Sequence, residues 1–219
     1  MNFYTFNPLV KNGSHDFSGF VSKITITMVM KSTIQFILRQ ATGSNVLLTG
    51  GAFLLMAVGI LPAAMLDIAR LSPTPPHMDF LFWPSPHSLY ATIQAFGTDG
   101  RELYRFILLT ADMVFPVVYT AFFSFALGWL LKKQENRLDN GWVLFPFLLF
   151  FFDLLENGCL VAILSLYPKE FYWLALLAGV ATFLKWLAVA VILISGLRLV
   201  IRWQSAKYKE VKSSQTEIG

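Results

Sequence analysis

The sequence predicts an all-α integral membrane protein, a four-helix bundle with both termini in the cytoplasm. Of its 219 residues, 56% are hydrophobic and 16% aromatic, and the mean hydropathy is +0.59, whereas soluble globular proteins are much less apolar. Four apolar runs each reach the roughly 20 residues that a helix needs to cross a bilayer core of about 30 Å. These runs cover residues 46–66, 103–131, 142–166 and 171–200, within a membrane domain at 46–204.

Residues 1–45 precede the first span and form an N-terminal cytoplasmic or interfacial segment. Lys23, Lys31 and Arg39 are spread among apolar residues there, so no uncharged run is long enough to span. Over residues 20–40 the pattern fits an interfacial helix, whose apolar side enters the acyl boundary while its cations stay at the headgroups. A disordered cytoplasmic tail fits the same composition.

Residues 70–102 form a long loop between the first two spans. Its prolines remove backbone donors and keep the preceding residues out of the helical region. The aromatic run at 80–83 predicts an anchor at the membrane interface. From Ser88 to Phe96 apolar residues recur at helical spacing, which predicts a short extracytoplasmic surface helix over the mouth of the bundle.

The charge pattern predicts how the chain is oriented. Lys and Arg concentrate before the first span, between the second and third, and after the fourth. These segments share one side only if the chain crosses four times, so the positive-inside rule agrees with the span count. We therefore predict a multi-pass protein of the plasma (inner) membrane, with N and C termini in the cytoplasm. Residues 205–219 are polar and are predicted to be a mobile cytoplasmic tail.

Polar residues inside the predicted spans are the strongest functional signal. An ionisable side chain at the centre of an inserted helix costs about 2.5 to 3.5 kcal/mol on translocon scales. At about 100° and 1.5 Å per residue, the polar residues of each span share a face, and most lie near mid-membrane. We therefore expect one convergent cluster, made of Asp112, Tyr119, Asp153, Glu156, Asn157 and Lys185.

The charges of this cluster indicate what it can do. Lys185 neutralises one carboxylate, so the three acidic residues exceed it by two negative charges; either some are protonated or a cation binds among them. The main hypothesis is a pocket for a small lipophilic or cationic molecule. Asp153 and Glu156 are the candidate catalytic residues if the site performs acid/base chemistry. The ligand-binding candidates are Asp112, Tyr119, Asn157 and Lys185.

Two other functions fit the same residues. One is a proton- or cation-coupled transporter or channel, which would work as a homo-oligomer because four spans alone make a narrow pathway. Inverted repeats would favour transport, and the two halves of the chain show no convincing repeat. The other is a structural or assembly subunit, in which the cluster only fixes helix pairing through a buried ion pair and hydrogen bonds.

Metal and cofactor chemistry finds little support in the sequence. The three histidines lie outside the spans without ligand spacing, and Cys159 is the only cysteine, so no metal site, haem site or cofactor is predicted. Nucleic-acid-binding modules are absent as well, and the basic residues sit at the edges of apolar runs. The lipid bilayer and a small ligand are therefore the predicted partners.

Three short motifs carry a resemblance to a known group: Asp112-x3-Pro116-x2-Tyr119, Pro146 to Asp153-x2-Glu156-Asn157, and Thr182-Phe183-Leu184-Lys185-Trp186. The sequence resembles small multi-pass bacterial membrane proteins of uncharacterised activity over residues 46–200, which implies the same spans and no particular activity. In design rather than in motif, it is similar to the emopamil-binding and sigma-2 receptor superfamily, whose membrane helices hold acidic residues around a lipophilic amine or sterol. That family's His and Glu pattern is missing here, so no residue roles are carried over.

Overall fold

A computed structural model of the protein describes the backbone of residues 13–71, 85–134 and 140–216, and the side chains of residues 25–71, 85–134 and 140–208. These residues form six helices and no strand. The aromatic anchor predicted at residues 80–83 lies outside the described residues. The all-α fold class predicted from the sequence is confirmed.

Four of the six helices are long and apolar enough to cross a membrane, which confirms the four predicted spans. Each of the four continues past its predicted bounds at one end or both. The helices are α1 (Gly13–Gln40), α2 (Gly43–Leu71), α3 (Pro86–Ala95), α4 (Gly97–Lys132), α5 (Asn140–Leu166) and α6 (Tyr172–Thr216).

The helix α2 does not end at Pro62, where the sequence allows either a kink or a helix end. Proline has no N–H for the carbonyl four residues earlier, and α2 widens just before it into a π-helical segment, Leu55–Ile60. The N–H of Leu61 bonds to the oxygen of Met56. Because α2 packs mainly along α4 and leaves residues such as Leu47 and Val58 exposed, most of its surface faces outward.

The pair α5 and α6 forms the centre of the bundle. Residues 167–171 join them, and the two helices share the most extensive contact in the described chain, with α4 packed against both. The apolar core falls into two clusters, one toward the α3 end and one toward the α1 end. Along α4, α5 and α6 the polar residues of the sequence lie in the layer between these clusters.

The helix α3 closes one end of the bundle and confirms the short helix predicted at residues 88–96. Ser85 caps its N-terminus, accepting from the N–H of Ser88 at 3.1 Å. Leu89 and Ile93 are fully buried. The N–H of Phe171 donates to the hydroxyl oxygen of Tyr90 at 2.6 Å, which ties α3 to the start of α6.

Helix α1 lies at the opposite end of the bundle, within the segment for which the sequence allows either an interfacial helix or a disordered tail. The segment is helical from Gly13 to Gln40, and residues 1–12 lie outside the described chain. Ile37 and Ala41 are buried, and Lys132 Nζ donates to the carbonyl of Ala41 at 2.9 Å. The interfacial position of α1 stays a prediction.

Helix α6 also continues through residues 205–216, where the sequence predicts a mobile tail. Extending an existing helix avoids the cost of nucleating a new one, and lysine, alanine and glutamate in this segment are good helix formers. The mobility of this segment and its side of the membrane stay predictions.

The close approach of α1 to α4 gives a stability prediction at Gly128. A Cβ added there would lie 2.9 Å from the Cβ of Ala41, closer than two carbons can pack. Gly128→Ala should therefore lower the free energy of unfolding by about 1–3 kcal/mol, as overpacking does, when unfolding is followed in detergent by circular dichroism. Gly196→Ala is the matched control, because nothing lies within 4 Å of its added Cβ. Equal stability of the two variants would show that this contact is unimportant.

Candidate functional site

A buried ion-pair network joins α5 to α6. Lys185 Nζ lies 3.1 Å from Asp153 Oδ1 and 2.5 Å from Glu156 Oε2. Asp153 and Glu156 are three residues apart on one helix, so their side chains share a face and one ammonium reaches both. Their side chains are only 5% and 10% exposed, and that of Lys185 is 21% exposed. Lys185 is therefore the cationic partner that the sequence predicts.

Tyr119 brings α4 into the same network. Its hydroxyl donates a hydrogen bond to Asp153 Oδ2 at 2.9 Å, while Asp153 Oδ1 accepts from Lys185. Both oxygens of Asp153 therefore have a donor, as a buried carboxylate requires. Three helices meet at this one side chain.

Asn157 satisfies a backbone group that a proline leaves free. Its Nδ2 donates to the carbonyl oxygen of Asp112 at 3.1 Å. In a regular helix this carbonyl would accept from the residue four positions later, but that residue is Pro116, inside α4 and without an N–H. In the apolar part of a membrane such a carbonyl has to find a partner within the protein. Asn157 therefore stabilises the backbone of α4.

The side chain of Asp112 differs from the other two carboxylates. The helix is interrupted at Thr110, whose φ of −120° and ψ of −90° are not helical, so Asp112 lies in the first turn of the segment Ala111–Lys132. A negative side chain is favoured there by the helix dipole. Among the described residues, the ion pairs of the bundle interior involve only the other two carboxylates. Asp112 is partly exposed.

A cavity of about 380 Å³ lies beside this network. Its polar wall is formed by Asp112, Tyr119, Asp153 and Lys185. The remaining wall is apolar and rich in aromatic rings, and it comes from all four spans. It consists of Phe53, Ala57, Leu61, Phe115, Phe123, Leu149, Trp186 and Val189.

The cavity is partly open, and two of the helices that line it, α2 and α6, make little contact with each other. Helix α2 supplies Phe53, Ala57 and Leu61, and α6 supplies Trp186 and Val189. Within the described residues α2 packs on α4 and not extensively on α6. Trp186, one of the lining residues, is 38% exposed.

The structure brings the six predicted residues into one layer but gives them different surroundings. Asp153 touches both Tyr119 and Lys185, and all three line the cavity. Asp112 lines it as well. Glu156 and Asn157 are buried behind this wall and are not among the lining residues. The ligand-binding and catalytic roles of all six stay predictions.

Sequence reasoning missed the contribution of α2. Phe53, Ala57 and Leu61 are spaced by four residues, so they share a helix face, and that spacing was readable in the sequence. An apolar face in an apolar span carries no polar marker, however, and it cannot be told from a lipid-facing one.

Within the described part of the chain, no group of three His, Cys, Asp or Glu side chains is arranged to hold a metal ion.

The hydrogen bond of Tyr119 gives a second stability prediction. Tyr119→Phe should lower the free energy of unfolding by about 0.6 kcal/mol, and by no more than about 1.7 kcal/mol, the range of hydrogen bonds between membrane helices. The loss should vanish when Asp153 is already Ala, which offers no acceptor to the Tyr119 hydroxyl, and a double-mutant cycle in detergent measures this coupling. Tyr208→Phe is the control, because Tyr208 is 71% exposed. The same loss in both backgrounds would show that the bond contributes nothing.

Comparison of this chain with models of known protein families, with curated proteins and with solved structures found no match. The resemblance to small bacterial membrane proteins therefore stays a prediction. The conclusions that follow depend on the site itself.

Proposed function

We propose that this multi-pass membrane protein binds a small lipophilic molecule that carries a cationic group, in the cavity between α2, α4, α5 and α6. One observation carries the proposal: the carboxylate of Asp112 stands in the wall of an otherwise apolar, aromatic cavity. A carboxylate at that depth is costly unless a partner compensates it. The described residues give Asp112 no ion pair, so a ligand cation would supply the missing positive charge.

The rest of the cavity suits the same kind of ligand. Its volume of about 380 Å³ falls in the range of small-molecule pockets, about 300–1,000 Å³. The faces of aromatic rings such as Phe115 and Trp186 attract cations and also accept an apolar body. Since both oxygens of Asp153 already have donors, Asp112 is the lining carboxylate best able to accept hydrogen bonds from a ligand.

The ion pairs have a separate, structural part in this proposal. Lys185 of α6 forms ion pairs with two carboxylates of α5. It therefore fixes the register of these two helices, which both line the cavity. If the protein is an enzyme, Asp153 is the better candidate for proton transfer, because it lines the cavity and Glu156 does not. Catalysis by either residue stays a prediction.

The orientation follows from the basic residues at one end of the bundle. Lys132 contacts the end of α1, and Gln134 donates to the carbonyl of Leu199 in α6 at 2.8 Å. Lys132, Lys133, Arg198 and Arg202 therefore cluster at that end. We infer from the positive-inside rule that this end, with both termini, faces the cytoplasm of the plasma membrane.

Photolabelling tests the proposed binding function. The purified protein in lipid nanodiscs is exposed to a photoreactive alkylamine or to its uncharged alcohol analogue, and the labelled peptides are mapped by mass spectrometry. The amine should label the α2 and α6 segments that line the cavity, and excess unreactive amine should suppress this labelling. Equal labelling by both probes, spread over exposed residues such as Leu193 and Leu197, would refute a cation-selective pocket.

A further inference from the structure

A second, polar cavity lies at the end of the bundle where α4 begins and α5 ends. Its volume is about 220 Å³, and it is separate from the cavity beside Asp112. Arg101, Glu102 and Arg105 of α4 line it, together with Thr98, Ser165 and Tyr167. It thus brings two guanidinium groups, one carboxylate and three hydroxyl groups to one place.

Arg101 is held in position by three neighbours. Its Cζ lies 4.4 Å from the centre of the Tyr167 ring. Its Nη1 donates to the carbonyl of Ile93 and its Nη2 to Thr98 Oγ1, each at 3.4 Å. A guanidinium has five N–H donors, so these two long bonds leave donors available for a ligand.

The charges of this cavity are not neutralised by the described residues. The ion pairs of the described chain all lie elsewhere, at Asp67 and around Lys185. Arg105, one helical turn after Arg101, makes no hydrogen bond with the described residues and is exposed. The cavity therefore offers two positive charges and one negative charge, with the two arginines on one helix face.

The position along the span places this cavity near the lipid headgroups. Arg105 precedes Asp112 by seven residues, or about 10 Å along a helix. Tyr167 lies one residue beyond the end of α5, where tyrosine is favoured at the interface between hydrocarbon and water. Among the molecules present at that depth, phospholipid headgroups carry phosphate.

We propose that this cavity binds the headgroup of a phospholipid with a phosphate and a primary ammonium, that is, a phosphoethanolamine lipid. Arg101 and Arg105 take the phosphate oxygens, whose geometry matches the guanidinium fork. Glu102 takes the ammonium. A choline headgroup has the same charges but no N–H to donate to Glu102, and a glycerol headgroup has no cation for it.

Lipid retention measured on the full chain tests this site. The protein is purified in a mild detergent and titrated with phosphatidylethanolamine, phosphatidylcholine or phosphatidylglycerol of identical acyl chains, and bound lipids are counted by native mass spectrometry. Phosphatidylethanolamine should bind several-fold more tightly than the other two. Arg105→Gln should weaken its binding by about tenfold, the effect of a lost charge-assisted hydrogen bond. Glu102→Gln should abolish the preference for ethanolamine over glycerol.

Lys169→Gln is the matched control, because Lys169 is an exposed cation at the same end and does not line the cavity. Arg105 is the primary test position, since Arg101 also contacts Tyr167 and its loss could affect folding. Equal binding of the three lipids, or equal effects of Arg105→Gln and Lys169→Gln, would overturn the proposal. Soluble glycerophosphoethanolamine that bound as tightly as the lipid would identify a water-soluble phosphate compound as the occupant and overturn the lipid assignment.

Discussion

Replacing Lys185 with methionine is expected to cost about 3–5 kcal/mol of unfolding free energy, the typical effect of removing one partner of a buried ion pair. Asp153 and Glu156 would keep their positions on one face of α5 but lose the ammonium that lies 3.1 Å and 2.5 Å from them. Two carboxylates with side chains 5% and 10% exposed would then face each other without a cation. The measurement is unfolding in mixed micelles, titrated with a denaturing detergent.

Two further variants separate charge from packing in this result. Lys169→Met removes an exposed lysine and should change stability by less than about 0.5 kcal/mol, as surface substitutions do. A triple variant with Lys185→Met, Asp153→Asn and Glu156→Gln leaves no buried charge in the network and should recover most of the loss. If Lys185→Met alone unfolds like the wild type, the ion pairs do not hold α5 to α6.

The triple variant also separates a structural network from a functional one. In the proposed function, the cation of the ligand pairs with Asp112, and the ion pairs of Lys185 only hold α5 and α6 together beside the cavity. A folded triple variant that still binds the photoreactive amine supports this division. A folded triple variant that has lost binding would place Asp153 or Lys185 in direct contact with the ligand.

Helix periodicity and depth were sufficient to predict that Asp153, Glu156 and Lys185 meet. The link between α5 and α6 is short, so the two helices are antiparallel neighbours, and counting residues from their ends gives the depth of each side chain. Two carboxylates and a lysine that are buried at the same depth are then expected to pair with each other, because an unpaired buried charge is costly. The convergence was thus readable in the sequence because each of the two helices is continuous and the link between them is short.

Local backbone irregularities set the limit of this reasoning. The interruption at Thr110 and the π-helical segment Leu55–Ile60 change which faces of α4 and α2 point inward, and neither follows from periodicity alone. The role of Asn157 had a readable signal, since Pro116 frees the carbonyl of Asp112, but which side chain would reach it depends on how α4 and α5 pack. The small contact between α2 and α6 depends on the tilt of α2, which its apolar sequence does not specify.

Asp112→Asn is expected to weaken binding of the photoreactive alkylamine by about tenfold or more, because it removes a charge-assisted hydrogen bond worth about 1.5–3 kcal/mol. Binding of the uncharged alcohol analogue should stay the same, since the shape of the cavity is kept. The fold should persist, because Asn157 bonds to the backbone oxygen of Asp112, which asparagine also provides. Affinity is measured by competition against photolabelling in nanodiscs.

Two controls make the Asp112 result specific to charge in the cavity. Asp99→Asn removes an exposed carboxylate of the same helix and should leave the affinity for both probes unchanged. Ala57→Phe adds a ring to the α2 wall of the cavity and should weaken amine and alcohol alike, because it fills the space that both require. If Asp112→Asn lowered the affinity for both probes equally, the cavity would be deformed. If it lowered the affinity for neither, the cation of the ligand would have another partner. Only a loss of amine binding with unchanged alcohol binding identifies Asp112 as the counter-charge of a ligand held within the membrane.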